Sequence, residues 1–233
     1  MKSNLVIFCS FFTHVLLTCV KGHQRTSRTI ETVEYVNLIA LTRNYNCKIL
    51  HMYTVEEKRD ITINTLLYIL QQLGGVSDFH KVFKILYFAD EKHLAKYGSA
   101  INPDSYVALT YGPVPSMAYE ILKSLRSEGF MANLREEFTP YFRLINKHTL
   151  QAITPPDLDY LSDSEKACID ESIKENRHLA FAGRTEKSHD KAYDNADEYG
   201  NISLIEMAKL GGANEAMLHY IKESLENSKA VLA

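Results

Sequence analysis

Asp90 and His93 are placed for acid–base or hydrogen-bonding chemistry, because both fall inside the apolar side of a helix. At about 100° per residue, Phe79, Val82, Phe83, Leu86, Leu94 and Tyr97 gather on that side, with Asp90 and His93 in its middle. A carboxylate there without a partner is costly. Asp90 is therefore expected either to staple this helix to another segment by hydrogen bonds or to line a polar pocket for a ligand or partner side chain. Lys84 lies on the opposite side with Lys81 and Glu91 nearby, and periodicity reads that side as solvated.

Two further clusters could carry function. Tyr111-Gly112-Pro113-Val114-Pro115 is stiff, since two prolines fix two φ angles, and it presents a tyrosine beside a helix N-terminus. It lacks the repeated glycines and the Gly-Lys-Ser/Thr ending that cradle a phosphate, so a structural turn is expected. His189, Asp190 and Tyr193 sit among Arg184, Glu186, Lys187 and Asp194. A histidine beside carboxylates can titrate near neutral pH, although the spacing alone favours a solvated helix face. The sequence holds no H-E-x-x-H, no paired C-x-x-C, no G-x-S-x-G, no G-x-G-x-x-G and no Walker A pattern. The remaining histidines are scattered, so neither a metal nor a cofactor is expected. A ligand-binding protein or enzyme with a cleft lined by Asp90, His93, Tyr111 and His189 is the alternative; a non-enzymatic interaction module is the expectation.

The elements that must position these residues are mostly helical. Thr54-Val55-Glu56-Glu57 is a capping box opening a helix over residues 55–73, with Thr62, Ile63, Leu66, Ile69, Leu70 and Leu73 on one face before Gly74-Gly75. Ser77-Asp78 can cap a second helix that runs to Tyr97 and stops at Gly98. Residues 106–109 are a short extended segment, and Gly112 and Val114 are extended because each precedes a proline. Pro115 suits the first turn of a helix reaching about Glu128. Residues 141–145 and 149–153 form a hairpin through Asn146-Lys147-His148. Ser162 to Glu165 and Ser203 to Glu206 are further capping boxes, a short helix lies within 183–200, and a last helix spans about 214–226. The expected class is mainly α with a small antiparallel β-sheet (α+β).

Composition adds a boundary. Residues 1–51 carry six Lys/Arg against two Asp/Glu, whereas residues 52–233 carry 20 against 27, net −7. Nucleic acid and anionic membrane are bound largely through clustered Lys/Arg, so the acidic body is expected to bind neither and to meet a protein instead. Cys9, Cys19 and Cys47 all lie in the first part, leaving Cys168 alone in the body, which suits a reducing compartment. Residues 5–20 form an apolar run too short for a span of about 20 residues, and Leu16-Leu17-Thr18-Cys19 approximates a lipoprotein site. A lipoprotein or secreted protein is thus an alternative localisation. The expected organisation is a non-domain extension over 1–51, either a leader or a mis-assigned start, followed by one domain over 52–233 that begins at Met52, beside the first cap.

The order Lys84-Ile85-Leu86-Tyr87-Phe88-Ala89-Asp90, then Tyr97-Gly98, Ala108, Tyr111-Gly112-Pro113-Val114 and Tyr119, resembles the pattern of the Panacea domain of SocA-type antitoxins and phage-associated GepA-like proteins. Ser188-His189-Asp190-Lys191-Ala192-Tyr193 is similar to a later element of that family, with Tyr193 where tryptophan is usual. The resemblance covers about residues 55–226. It implies a compact helical domain acting as a cytoplasmic antitoxin of a toxin–antitoxin system, often carried on a prophage. Such a protein neutralises a cognate toxin encoded next to it by direct contact, and in the SocA type can serve as an adaptor to a cytoplasmic protease. On the resemblance, Lys84, Tyr87, Asp90, Tyr111, Gly112, Pro113, Val114, His189 and Tyr193 are the candidate partner-binding or family-motif positions.

Overall fold

The computed structural model describes residues 53–198 and 200–232. The expectations for residues 1–51 lie outside the described residues.

Thr54 opens α1 (Val55–Gln72) with the reciprocal capping box read from the sequence: its side chain accepts from the Glu57 amide while Glu57 accepts from the Thr54 amide. Residues 61–70 are buried without interruption, so this helix is covered all round in its middle rather than on one face. A three-residue strand, β1 (Val76–Asp78), follows the glycine pair, and Asp78 caps α2 (Phe79–Tyr97) by accepting from Lys81 N at 2.8 Å. Gly98, with φ +75°, ends that helix in the left-handed conformation open to glycine.

The next elements are β2 (Tyr106–Leu109) and β3 (Gly112–Pro115), an antiparallel hairpin in the register Tyr106↔Pro115 to Leu109↔Gly112. Proline is tolerated in β3 because this is an edge strand. Pro115 ends the strand and is the N-cap of α3 (Ser116–Leu125), one position earlier than expected, and α3 stops three residues short of Glu128. A short α4 (Arg135–Phe138) leads to β4 (Phe142–Asn146) and β5 (Thr149–Ala152), the expected hairpin. Beyond lie α5 (Asp163–Asn176), capped by Ser162 and Glu165 as expected, then α6 (Phe181–Ser188), α7 (Lys191–Asp194), β6 (Asn201–Ile202), α8 (Leu204–Leu210) and α9 (Glu215–Leu232). The polar stretch thus makes two helices where one was expected. Ser203 occupies the N-cap of α8 without a side-chain capping bond, which corrects the third capping box. The last helix runs six residues further than its sequence pattern indicated.

The β content is two three-stranded antiparallel sheets, ordered β1-β5-β4 and β3-β2-β6. Two apolar cores correspond. One joins α1, α2, α3, β4, β5 and α5 through residues such as Leu67, Leu86, Ile121, Phe142 and Ile169; the other gathers Tyr87, Phe88, Tyr106, Ile202, Met207 and Ile221. Helix α2 belongs to both, with residues 82–90 all buried.

Candidate functional site

Because residues 82–90 of α2 are covered on every side, the polar residues among them must find partners within the protein. Lys84 is 0 % exposed and donates from Nζ to the Pro113 carbonyl at 2.6 Å. The solvated face expected for it is therefore wrong, because α6 and β3 pack over that side of α2. Burial pulls the ammonium down to about 7, with Asp190 opposing and Arg184 reinforcing the shift. Gly112 has φ +93°, and a Cβ there would collide with Ser188 Oγ and lie 2.8 Å from Lys84 Nζ. Only glycine lets the hairpin close over the lysine.

One and two turns along the same stripe come Tyr87 and Glu91. The Tyr87 hydroxyl donates to Asp190, with O···O distances of 3.0 and 3.2 Å. Asp190 also accepts the Ala192 and Tyr193 amides at 2.9 and 3.0 Å, so one carboxylate caps α7 and anchors it to α2. Burial, together with the neighbouring Glu91 and Asp190, drives the Tyr87 pKa far up, keeping the phenol a donor. The Glu91 carboxyl is pushed up to about 8 by burial first and by the charge of Asp190 second. Tyr193 completes the junction: its ring stacks on His189 with centroids 4.2 Å apart, and its hydroxyl donates to the Leu109 carbonyl at 3.1 Å.

Above this buried layer is an open groove lined by Tyr111, Phe181, Thr185, Glu186 and His189. Tyr111 at the hairpin tip is 60 % exposed and Phe181 is 47 % exposed, their rings meeting edge to face at 5.4 Å. His80 stacks under Phe181 at 4.1 Å, with Nε2 3.3 Å from the Tyr111 carbonyl. Burial, reinforced by Lys84, lowers His80 to about 4, so its ring is neutral at ordinary pH. Arg184 ties α6 to β1 through Asp78 at 3.1 Å and bonds the Leu179 carbonyl at 2.5 Å, fixing the helix that carries Phe181.

Asp90 stands apart. It is fully buried, with Oδ1 accepting the Ile101 and Asn102 amides at 2.5 and 3.3 Å and Oδ2 accepting the Tyr106 hydroxyl at 2.6 Å. Desolvation pushes it up to about 7 against those three bonds. His93 Nδ1 donates to the Ser99 carbonyl at 2.6 Å and Nε2 accepts from Ser164 Oγ at 3.2 Å. The two residues pin α2 to the 99–106 segment and to the start of α5. Neither lines the groove of Tyr111 and His189, so the four-residue cleft does not form.

The sequence reading omitted His80 and Phe181 and gave no role to Glu91. A signal for Glu91 was present: Lys84, Tyr87, Phe88 and Glu91 recur at three- and four-residue spacing, and two aromatics on a stripe argue against a solvated face. Among the described residues no group of His, Cys, Asp or Glu is arranged to hold a metal ion, and no helix is long and apolar enough to cross a membrane.

These elements define a mainly α domain with two small antiparallel sheets, in which a helix covered on all sides over residues 82–90 carries a polar stripe beneath an aromatic groove. Residues 82–193 match the family described as antitoxin SocA-like, Panacea domain, and this part of the chain is a Panacea domain. The match takes in all three quoted motifs and ends at Tyr193. No curated protein and no solved structure matches the chain.

Proposed function

We propose that this protein is the antitoxin of a toxin–antitoxin pair and neutralises a cognate toxin, encoded beside it, by direct contact through the Tyr111–Phe181–His189 groove. The observation that carries this reading is the division of the family motifs into two layers. Lys84, Tyr87, Gly112, Pro113 and Asp190 are spent on one another and on the backbone, while Tyr111 and Phe181 face outward on a hairpin and helix held rigid by that network. Exposed aromatics on a fixed frame suit the anchor of a protein interface. The working unit is residues 52–233, acting in the cytoplasm and without catalysis of its own. Delivery of the bound toxin to a cytoplasmic protease is a role the same face is open to, since binding precedes it.

The test is growth rescue. The neighbouring open reading frame is expressed in a heterologous host alone, with the full chain, with residues 52–233 and with Tyr111→Ala. Toxicity relieved by the first two partners and not by Tyr111→Ala is expected; a harmless neighbour, or no relief from the full chain, overturns the reading.

A further inference from the structure

A second recess lies on the other flank of the buried stripe, a cavity of about 310 Å³ between α2, α5, α6 and α8. It is lined by the charged residues Glu91, Lys92, Glu175, Lys187 and Asp190, with Phe88 and Leu210 as its apolar members. Gly211 lets α8 approach α2 there, since a Cβ on it would collide with the Glu91 carbonyl oxygen.

Glu91 Oε1 is buried and has no hydrogen-bond partner. A buried acceptor left unpaired costs about 1–3 kcal/mol. The Glu91 carboxyl meets Asp190 and Tyr87 in side-chain hydrogen bonds, but Oε1 itself receives no donor, and the neighbouring cations are engaged elsewhere. The Lys92 ammonium is engaged by Glu171 and Glu175 at 3.0 and 2.8 Å. Lys187 Nζ donates to Asn176 Oδ1 at 2.6 Å and lies over the Phe88 ring at 4.5 Å. Tyr87 and the Ala192 and Tyr193 amides all donate to Asp190, and Lys84 donates to Pro113. The cavity therefore has an acceptor short of a donor, two carboxyls side by side, and an aromatic face on which a cation already rests.

We propose that this cavity receives one cationic side-chain group, the alkyl-guanidinium or alkylammonium of an arginine or lysine on the protein partner. Its N–H groups supply the donor that Glu91 Oε1 lacks, and its stem lies between Phe88 and Leu210. The volume is at the small end of ligand sites, enough for one long side chain. A bare metal ion fits poorly, because the carboxyls here do not form a metal-holding group. An anion would face Glu91 and Asp190 directly. Charge balance fixes a signature: the incoming cation replaces the proton that Glu91 retains beside Asp190, with Lys187 as the resident competitor, so binding releases up to one proton and tightens as pH rises through about 8.

This inference rests on the partner being a protein, and its first arm needs no partner. Isothermal titration of the full chain with N-acetyl-arginine methylamide, in two buffers of different ionisation enthalpy, is expected to show saturable binding with proton release. Glu91→Gln should weaken it at least tenfold, and Lys187→Met should tighten it. Absence of saturable binding, indifference to Glu91→Gln, or preference for N-acetyl-glutamate methylamide overturns the proposal without touching the antitoxin reading. The second arm assigns the source: Glu91→Gln should reduce rescue in the growth assay. Full rescue by a variant that has lost the arginine probe overturns the protein side chain as occupant and leaves a free cation as the ligand. Because Lys187→Met is expected to act in the opposite direction, a general loss of folding cannot imitate the pattern.

Discussion

Asp90 and Glu91 are adjacent in sequence, both hard to ionise, and different in consequence. Asp90 is satisfied by three donors, so Asp90→Ala would orphan the Ile101 amide and the Tyr106 hydroxyl in a dry interior. A loss of about 3 kcal/mol or more is expected, seen in thermal unfolding as a fall of at least about 6 °C for a body of this size. An unchanged melting temperature with lost rescue would instead return Asp90 to the class of binding residues. Glu91 gives a pH signature whose sign follows from linkage. Its folded pKa of about 8 stands above the ordinary 4.5, so its contribution is complete below about 4.5 and is lost as pH rises through about 8. Glu91→Gln mimics the protonated form at every pH. Its melting temperature relative to the wild type should therefore rise by several degrees between pH 5 and pH 8.5, and a constant offset would show that Glu91 is ionised in the folded protein.

At the scale of elements, what was legible in the sequence was whatever depends on a few neighbouring residues. Thr54–Glu57 and Ser162–Glu165 show their caps because donor and acceptor lie within one turn. The prolines fix an extended 112–115 segment for the same local reason. What was not legible depends on segments 29 to 103 residues apart: Lys84 reads as exposed until α6 and β3 cover it, and Asp190 reads as a surface acid until Tyr87 is found beside it. Strands β1 and β6, of three and two residues, carry no period of their own and exist only because β5 and β2 offer them an edge. The β2–β3 hairpin joins both kinds of information at Gly112. Gly112→Ala must adopt φ +93° and press on Ser188 and Lys84, at an expected cost of about 2 kcal/mol or more. Hydrogen exchange should locate the damage: the Ala108 amide, bonded to the Gly200 carbonyl at 2.7 Å, loses protection ahead of amides in α1. Uniform loss across the domain would mean that the hairpin is part of the global folding unit.

For the molecule as a whole, the two recesses imply different physics on either side of one helix. The groove is aromatic and exposed, whereas the cavity is half-open and mixes charged side chains with Phe88 and Leu210, and residues 52–233 carry net −7. An acidic body attracts a basic partner over about a Debye length, some 8 Å at physiological salt, which accelerates encounter more than it holds the complex. The aromatic anchor acts only on contact and therefore on the dissociation rate. The two effects separate in a kinetic measurement of the purified pair. Raising salt from 50 to 500 mM should lower the association rate at least tenfold with little change in dissociation. Tyr111→Ala should do the reverse, speeding dissociation by about tenfold or more, since an interface anchor is worth about 2 kcal/mol. Its melting temperature should not move, because the Tyr111 ring is mostly in solvent and its carbonyl, the group that faces His80, survives the substitution. Salt acting on dissociation alone would mean that the charge effect comes from exposed ion pairs across the formed interface rather than from steering at a distance, because buried pairs are screened much less.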